Sequence, residues 1–311
     1  MKIIITGALG HIGSYIIRDL SLQFPGSEIV MIDNMMTQRY SSLFNLPTNG
    51  IFSFEEGDVN QVDLVKILQG ASVLIHLAAI TDASGNIDNP QILEENNYLS
   101  TFKVSEACIQ TDTPLIIISS TSVYGVSNKI VDEQCLAEDL NPQSPYARIK
   151  LKEERLIQKL SDENNLKAII FRFGTIFGTS PGMRFHTAVN KFCWQAVMGQ
   201  PLTVWSSAYD QKRPYLDLID AANAIAFVVR NDLYDGNIYN ILTYNTRVSE
   251  IVGTIKEFIP NLTVNFVENR IMNQLSYDVS SERFKSTGFK FKGDLRRGIR
   301  ETVDLIRQAN Q

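Results

Sequence analysis

Tyr146 and Lys150 are four residues apart in the stretch SPYARIK, and this pair has a clear capacity for chemistry. Residues at i and i+4 share one face of a helix, so the two side chains would lie side by side if residues 145–163 are helical. A tyrosine with a pKa near 10 is a poor base at neutral pH, but a neighbouring ammonium group favours the phenolate. The pair could therefore act as a general base, although Tyr/Lys pairs are also common on exposed helices.

Four hydroxyl side chains lie at the end of a predicted strand in the stretch ISSTSVYG, namely Ser119, Ser120, Thr121 and Ser122. Ligands of open α/β sheets bind beyond the carboxyl ends of the strands. The hydroxyl groups are therefore candidates for hydrogen bonds to a reacting oxygen atom. The alternative is that these side chains only cap the end of the strand.

Three glycines, Gly7, Gly10 and Gly13, follow a predicted strand over residues 3–6 and open a predicted helix. Glycines at such positions let the backbone approach a pyrophosphate, and the helix N-terminus supplies amide groups and partial positive charge. Asp33 ends the next predicted strand, where an acid accepts hydrogen bonds from the adenosine ribose. A carboxylate there repels a 2′-phosphate, so the pattern predicts NAD rather than NADP. The alternatives are a purely structural turn and an aspartate that only forms a strand-end turn.

Strands and helices alternate through the first part of the sequence, and these elements must bring the candidate residues together. Several predicted strands are short apolar runs, typical of strands buried on both faces of a parallel sheet. The predicted strands are 3–6, 28–33, 53–57, 72–77, 115–119 and 168–173, and the predicted helices are 11–23, 62–68, 93–110 and 145–163. The alternation indicates an α/β fold with a Rossmann-type, doubly wound parallel sheet.

The alternation of strands and helices ends after residue 178. We expect helices at 187–198, 219–230, 248–258 and 297–309, and extended segments at 202–205, 237–240 and 264–266. A smaller, mixed α/β region at the C-terminal side would then cap the sheet edge and bind substrate. The predicted division is a dinucleotide-binding domain of residues 1–175, to which 210–242 return, and a smaller region of 176–209 and 243–311.

The composition excludes several classes of protein. The 311 residues carry a net charge of −5, whereas nucleic-acid binders usually show a basic patch. The three cysteines are far apart and none of the three histidines is near one, so we expect neither a disulfide framework nor a metal site. No apolar run approaches the roughly 18 residues of a membrane helix, and the sequence opens without a signal-peptide pattern. We therefore expect a cytoplasmic protein with no nucleic-acid or membrane partner.

The glycine spacing G-x-x-G-x-x-G resembles that of the extended short-chain dehydrogenase/reductase family, the group of NAD-dependent nucleotide-sugar epimerases and dehydratases. Three further stretches resemble the same family: Gly57-Asp58-Val59, His76-Leu77-Ala78-Ala79, and the asparagine Asn97 in NYLST. The resemblance covers nearly the whole chain and is to enzymes of the UDP-glucose 4-epimerase type.

The resemblance implies roles for the residues at matching positions. Tyr146 would remove the proton from a sugar hydroxyl, Ser120 would bond the same oxygen, and Lys150 would hold the nicotinamide ribose. The residues expected to bind NAD are Gly7, Gly10, His11, Ile12, Gly13, Asp33, Asn34, Asp58, Val59, Leu77, Ala78, Ala79, Asn97, Ser119, Tyr146, Lys150 and Phe173. The residues expected to bind the nucleotide sugar are Thr81, Ser120, Thr121, Ser122, Tyr146, Asn190, Val204, Arg213 and Arg270.

The residues after the fifth predicted strand separate the branches of this family. Dehydratases of the family usually carry Asp-Glu there, and this chain has Thr121-Ser122. Without that acid–base pair the resemblance implies epimerisation, by oxidation at the sugar C4 and return of the hydride to the other face. The alternatives are a nucleotide-sugar 4-dehydrogenase that needs an external acceptor, a 4,6-dehydratase, and a non-enzymatic NAD sensor.

The resemblance also implies a homodimer in which the two long helices, 93–110 and 145–163, pair with those of a second copy. Apolar residues such as Ile149, Leu156 and Leu160 could face either a partner or the sheet. The sequence leaves both arrangements open, and it does not identify the base or the sugar of the substrate.

Overall fold

The computed structural model of the chain describes residues 1–81, 90–125, 130–136, 140–268 and 277–309. The strands are β1 (Lys2–Thr6), β2 (Glu28–Asp33), β3 (Ile51–Glu56), β4 (Val73–His76), β5 (Leu115–Ser120), β6 (Ile130–Val131), β7 (Ala168–Phe173), β8 (Thr175–Phe177), β9 (Leu202–Trp205), β10 (Lys212–Asp217), β11 (Ile238–Ile241), β12 (Tyr244–Arg247), β13 (Val264–Val267) and β14 (Asp278–Val279). The helices are α1 (His11–Gln23), α2 (Leu64–Leu68), α3 (Pro90–Thr111), α4 (Pro145–Asn164), α5 (Ala188–Val197), α6 (Leu218–Asn231), α7 (Val248–Phe258), α8 (Glu282–Ser286) and α9 (Leu295–Gln308).

Seven parallel strands form the central sheet, in the order β11-β7-β5-β4-β1-β2-β3. The chain moves outward from β1 to β2 and β3, and then returns to the other side of β1 for β4, β5 and β7. This reversal of direction places a crevice beside the carboxyl end of β1, where open α/β sheets bind ligands. The predicted fold, a doubly wound parallel sheet, is confirmed.

Helices cover both faces of the sheet, and the apolar strands pack against them on both sides. In β1, Ile3 and Ile5 face the layer that contains α1 and α6, whereas Ile4 faces the layer with α2, α3 and α4. Alternate residues of a strand point to opposite faces, so a run of isoleucines is what a strand covered on both sides requires. None of the described helices is both long enough and apolar enough to span a bilayer.

The C-terminal part of the chain has its own core. Helices α5, α7 and α9 pack together over a cluster that includes Phe177, Val204 and Tyr215. Strands β8, β10 and β12 form a three-stranded sheet, and β9 pairs with β13. Of residues 210–242, β11 is the edge strand of the central sheet and α6 packs on one face of that sheet. Strand β10 instead pairs with β8 and β12 outside the central sheet.

A buried ion pair fastens α4 to the sheet. Arg172 of β7 donates two hydrogen bonds to the Glu154 carboxylate, at 2.9 and 2.7 Å, and both side chains are almost fully buried. Ser119 donates a third hydrogen bond to the same carboxylate at 2.5 Å. Breaking a buried pair of this kind costs about 3–5 kcal/mol. The helix that carries Tyr146 and Lys150 is therefore held in one position against β5 and β7.

Candidate active site

A cleft of about 410 Å³ opens at the carboxyl ends of the central strands. Its walls are the segments that follow β1, β2, β3 and β4, together with the first turns of α4. The predicted ligand contacts that line it are Gly7, Gly10, His11, Ile12, Gly13, Asp33, Asn34, Asp58, Val59, Leu77, Ala78, Ala79, Thr81, Tyr146 and Lys150. The structure thus brings the glycine turn and the Tyr146/Lys150 pair to one cavity, although they are far apart in sequence.

The glycine turn leaves no room for side chains. Gly7 has a φ of +64°, and a Cβ there would lie 2.6 Å from the Ala78 amide nitrogen. A Cβ on Gly13 would lie 2.5 Å from the carbonyl oxygens of Gly7 and Ala8. Helix α1 begins after Gly10, and no side chain caps its first turn. The unpaired amide groups of such a turn and the helix dipole suit a pyrophosphate, so these residues fit a dinucleotide.

Asp33 lies at the end of β2, where the backbone fixes its orientation. Its two carboxylate oxygens accept hydrogen bonds from the Leu9 and Met35 amides, each at 3.0 Å. Each oxygen keeps a second lone pair for another donor. The carboxylate therefore joins the glycine turn to the next loop and can still accept hydrogen bonds from ribose hydroxyls.

The segment after β4 is held by Asn97. The Asn97 amide accepts a hydrogen bond from the Ile80 nitrogen (2.8 Å) and donates one to the Ile80 carbonyl oxygen (3.0 Å). Asn97 is buried and does not line the cleft. In this position Asn97 shapes the wall formed by Leu77–Thr81, and its role as a contact of NAD stays a prediction.

The first turn of α4 positions Tyr146. The Ser144 side chain caps the helix by accepting a hydrogen bond from the Ala147 amide (3.1 Å), and Pro145 begins the helix. These are strong helix-start signals. Lys150 follows one turn later, and its Nζ lies 5.8 Å from the centroid of the Tyr146 ring.

Burial and charge act against each other on this pair. Burial raises the pKa of Tyr146, and the positive charges of Lys150 and Arg184 offset only part of that rise. Burial lowers the pKa of Lys150, but Glu153, Tyr146 and Glu154 together outweigh it and hold that pKa above its usual value. The pKa of Tyr146 therefore lies above its usual value, and the neighbouring Lys150 is firmly charged.

The hydroxyl run after β5 is arranged around Ser120. Ser120 Oγ accepts hydrogen bonds from the Ser122 amide (3.2 Å) and the Ser122 hydroxyl (2.9 Å). Thr121 is buried and donates to the carbonyl oxygen of Phe173. None of these three residues lines the described cleft, but Ser120 is partly exposed at the end of β5, the neighbour of β4 in the sheet.

Comparison with known proteins decides the family. Residues 3–241 match the NAD dependent epimerase/dehydratase family. The chain belongs to this family. The prediction of an extended short-chain dehydrogenase/reductase is confirmed, and NAD is the cofactor of the family.

Individual relatives within the family differ in their chemistry. A trifunctional UDP-glucose 4,6-dehydratase/UDP-4-keto-6-deoxy-D-glucose 3,5-epimerase/UDP-4-keto-L-rhamnose-reductase from Arabidopsis thaliana is 29% identical, over 99% of this chain and 47% of that protein. The chain thus spans about half the length of this relative. A dTDP-D-glucose 4,6-dehydratase from Homo sapiens is 26% identical, over 99% of this chain and 90% of that protein.

A solved structure of a UDP-sugar epimerase has the same fold. The UDP-glucuronic acid 4-epimerase from Bacillus cereus, in complex with UDP-glucuronic acid and NAD, superimposes with a TM-score of 0.87. It is 25% identical, and the match covers 99% of this chain and 100% of that one. Both epimerases and dehydratases are therefore similar to this protein.

Several predicted ligand residues are packed away from the cleft. Ser119 bonds Glu154, and Phe173 stacks on Phe171 with ring centroids 5.8 Å apart. Val204 is buried in the C-terminal core. These three side chains are committed to packing because they lie inside strands β5, β7 and β9, and their roles as direct ligand contacts stay predictions.

The remaining predicted substrate contacts have different surroundings. Asn190 is fully buried and donates hydrogen bonds to the carbonyl oxygens of Gly178 and Arg184. Arg213 is partly buried on β10, where it contacts Gln211. Arg270 lies outside the described residues. Asn190 therefore organises the loop before α5, and the three roles in substrate binding stay predictions.

The loop 181–183 was not predicted to touch the glycine turn. A Cβ on Gly182 would lie 2.3 Å from the Leu9 carbonyl oxygen, so the two loops are in direct contact. Arg39 donates a hydrogen bond to the Gly182 carbonyl oxygen at 2.9 Å, and the Gly182 amide donates to Ser14 at 2.9 Å. Arg39 also lines the cleft. No local pattern identifies it, since its role depends on a partner more than a hundred residues away in sequence.

Proposed function

We propose that this protein is a NAD-dependent nucleotide-sugar 4-epimerase. One observation carries the proposal: the glycine turn, Asp33, Tyr146 and Lys150 line the same cleft. Oxidation of a sugar hydroxyl needs a dinucleotide cradle and a base next to it. The arrangement of these residues supports both requirements.

In the proposed reaction, Tyr146 removes the proton of the sugar C4 hydroxyl and later returns it to the same oxygen. The glycine turn and Asp33 would hold NAD, which would supply the acceptor and later the donor of the C4 hydride. Lys150 favours the phenolate of Tyr146 through its charge and holds the nicotinamide ribose. Ser120 donates a hydrogen bond to the reacting oxygen from the end of β5.

The residues after β5 favour epimerisation over dehydration. Elimination of water requires a further acid and base near the sugar C5 and C6. Thr121 and Ser122 hold the positions at which the resemblance would place that pair in a dehydratase. Among the described residues, the carboxylates that line the cleft are Asp33 and Asp58. Asp33 ends β2 and Asp58 follows β3, and both strands lie across β1 from β5.

The proposed substrate is a nucleoside-diphosphate sugar, with UDP-sugars tested first. The Bacillus cereus neighbour carries UDP-glucuronic acid, and the plant relative acts on UDP-glucose. We further propose a homodimer that pairs α3 and α4 of two copies, because these two helices pack side by side on one face of the sheet. The proposed division into domains assigns the cofactor to the central sheet and the sugar nucleotide to the region around α5, α7 and α9.

The reaction can be established with the purified protein, added NAD and a panel of UDP-, dTDP- and GDP-sugars. Products are followed by proton NMR and mass spectrometry. A new anomeric signal at unchanged mass identifies an epimerase and its substrate. Loss of one water from the product mass contradicts the proposal in favour of a 4,6-dehydratase. A keto-sugar that accumulates with reduced cofactor contradicts it in favour of a 4-dehydrogenase.

Replacing Tyr146 tests the catalytic assignment. Tyr146→Phe removes the hydroxyl and leaves the ring in place, so we expect turnover to fall by at least about 100-fold, the low end for loss of a general base. Binding of NAD, measured by calorimetry, should stay within about threefold of the unchanged protein, a difference of about 0.65 kcal/mol. Retention of normal turnover by this variant would rule out Tyr146 as the base.

A further inference from the structure

Glu153 is a buried carboxylate that the proposed chemistry does not use. It lies one helical turn after Lys150 on α4, and its side chain is 2% exposed. One carboxylate oxygen, Oε2, is 2.8 Å from the Lys150 Nζ, whose side chain is 6% exposed. A buried charge is tolerated when a partner of opposite charge lies in contact with it. The two side chains therefore form one nearly neutral unit inside the protein.

Glu153 is the carboxylate that pairs with Lys150 in the described part of the chain. The adjacent Glu154 points to Arg172 of β7 and forms two hydrogen bonds with it. From α3, the neutral side chain of Thr101 faces Glu153. The charge that balances Lys150 at contact distance thus comes from Glu153.

Two other titratable groups face the Tyr146/Lys150 pair from neighbouring elements. His76 of β4 is near Lys150, but burial above all, and then the charge of Lys150, lower its pKa to about 3. This histidine is therefore neutral at ordinary pH. Arg184, from the loop before α5, adds positive charge near Tyr146 and lowers its pKa. Glu153 opposes the effect of Lys150 and Arg184 on Tyr146, because its negative charge raises the pKa that they lower.

The position of Glu153 has a consequence for Tyr146. A lone ammonium 5.8 Å from the ring would strongly favour the phenolate. A carboxylate 2.8 Å from that ammonium cancels much of its field at the ring. The proton of Tyr146 is then released at a higher pH than Lys150 alone would allow. Glu153 therefore acts in the same direction as burial on the pKa of Tyr146.

We propose that Glu153 is a positioning residue that holds Lys150 in place and sets the pH range in which Tyr146 exchanges its proton. The proposal rests on the assignment of Tyr146 as the base. It requires no new reactant, because Glu153 acts only through the charge and position of Lys150.

The test is the ionisation of Tyr146 in the NAD-saturated protein, followed by the ultraviolet absorbance of the phenolate. The chain has 11 tyrosines. The spectrum of the same protein with Tyr146→Phe is therefore subtracted from each spectrum, which leaves the signal of Tyr146. Glu153→Gln keeps the shape of the side chain and removes its charge. We expect the pKa of Tyr146 to fall by about one unit or more, the effect typical of one nearby charge.

Two variants separate this effect from general damage. Glu163→Gln alters an exposed carboxylate of the same helix, which lies 3.8 Å from Lys159, and should leave the pKa of Tyr146 unchanged. Glu153→Asp retains the charge and should keep the pKa above that of Glu153→Gln. If Glu153→Gln does not fold, Glu153→Ala removes the same charge and leaves space for water, and the same fall is expected.

An unchanged pKa of Tyr146 in folded Glu153→Gln or Glu153→Ala would overturn the proposal and leave Glu153 a structural role. The absorbance titration needs no sugar, so its result stands even if the substrate panel finds no epimerase. If the panel succeeds, the acid limb of the kcat/KM profile should move to lower pH by the same amount in Glu153→Gln.

Discussion

The side of the cleft formed by the loop after β1 is made of backbone, whereas the side formed by α4 and β4 is made of buried, ionisable side chains. We call the first, with Gly7, Gly13 and Asp33, the cofactor half. We call the second, with His76 and the Tyr146–Lys150–Glu153 group, the reacting half. In the cofactor half, the backbone leaves no room for a Cβ atom at Gly7 or Gly13. In the reacting half, the proposed chemistry depends on which side chains hold protons.

This difference predicts different responses to mutation. The cofactor half should fail when an atom is added, and its buried His11 adds an acid sensitivity of its own, because burial lowers the pKa of this histidine to about 4. The reacting half should tolerate changes of shape better than changes of charge. The cofactor half offers backbone amide groups to a pyrophosphate, and the reacting half offers side chains for proton transfer.

The largest effect is expected for Gly13→Ala in the cofactor half. The added Cβ would lie 2.5 Å from two carbonyl oxygens, so α1 must move away from the turn. Overpacking of this kind costs about 1–3 kcal/mol, and the displaced amide groups are those proposed to bind the pyrophosphate. We expect NAD affinity, measured by calorimetry, to fall about 100-fold.

Gly253→Ala is the matched control. Gly253 lies inside α7, and a Cβ there meets no atom within 4 Å. The substitution should leave NAD affinity unchanged and should stabilise the protein by about 0.5–1 kcal/mol. Normal NAD affinity in Gly13→Ala would show that the close contacts of the turn are not needed for the cofactor.

A smaller effect is expected for Asp33→Ser, the one change of charge in the cofactor half. The variant loses a charged acceptor for the ribose hydroxyls and weakens the bonds to the Leu9 and Met35 amides. Hydrogen bonds to charged groups contribute about 1.5–3 kcal/mol, so we expect NAD affinity to fall about 10- to 100-fold. The loss for NADP should be smaller, because the repulsion of its 2′-phosphate is removed.

Asp304→Asn controls for the removal of a negative charge alone. Asp304 is on α9, pairs with Arg307 and does not line the cleft. This variant should bind both cofactors as the unchanged protein does. Equal losses for NAD and NADP in Asp33→Ser would contradict the selective role of the carboxylate.

The cofactor half was predictable from sequence because its signals are local. The glycines, the helix α1 and the strand β2 lie where the sequence predicts them, and Asp33 is the last residue of β2. The apolar run of β7 and the apolar periodicity of α7 also predict the first and last residues of these two elements correctly. Local signals of this kind arise from backbone geometry and burial, which the nearest residues determine.

Other parts could not be predicted, because they depend on contacts between distant segments. Strands β8, β10 and β12 are short or polar, and β10 is a strand because Tyr215 pairs with Thr175 and Tyr244. In the same way, nothing near Arg39 or Glu153 in the sequence reveals that the first reaches Gly182 and the second Lys150. The spacing of Tyr146 and Lys150 was visible, but the charge that balances the lysine was not.

The smallest effect concerns His76, which makes the reacting half sensitive to acid. His76 is buried, its Nδ1 lies 2.7 Å from the Thr6 hydroxyl, and burial lowers its pKa to about 3. Because the folded pKa lies below the unfolded value near 6.5, stability is highest above pH 6.5 and is lost as the pH falls. From pH 7 to pH 5, this one group should lower the free energy of unfolding by about 2 kcal/mol.

The contribution of His76 is isolated by comparing urea unfolding of the unchanged protein and His76→Asn at the two pH values. Asparagine can keep an amide atom near the position of Nδ1, and it does not titrate. We expect the loss of stability between pH 7 and pH 5 to be about 2 kcal/mol smaller in His76→Asn. His186→Asn, at an exposed histidine, should leave the loss almost unchanged. An equal loss in all three proteins would mean that the acid sensitivity lies outside the reacting half, and the contrast between the halves would then rest on sterics alone.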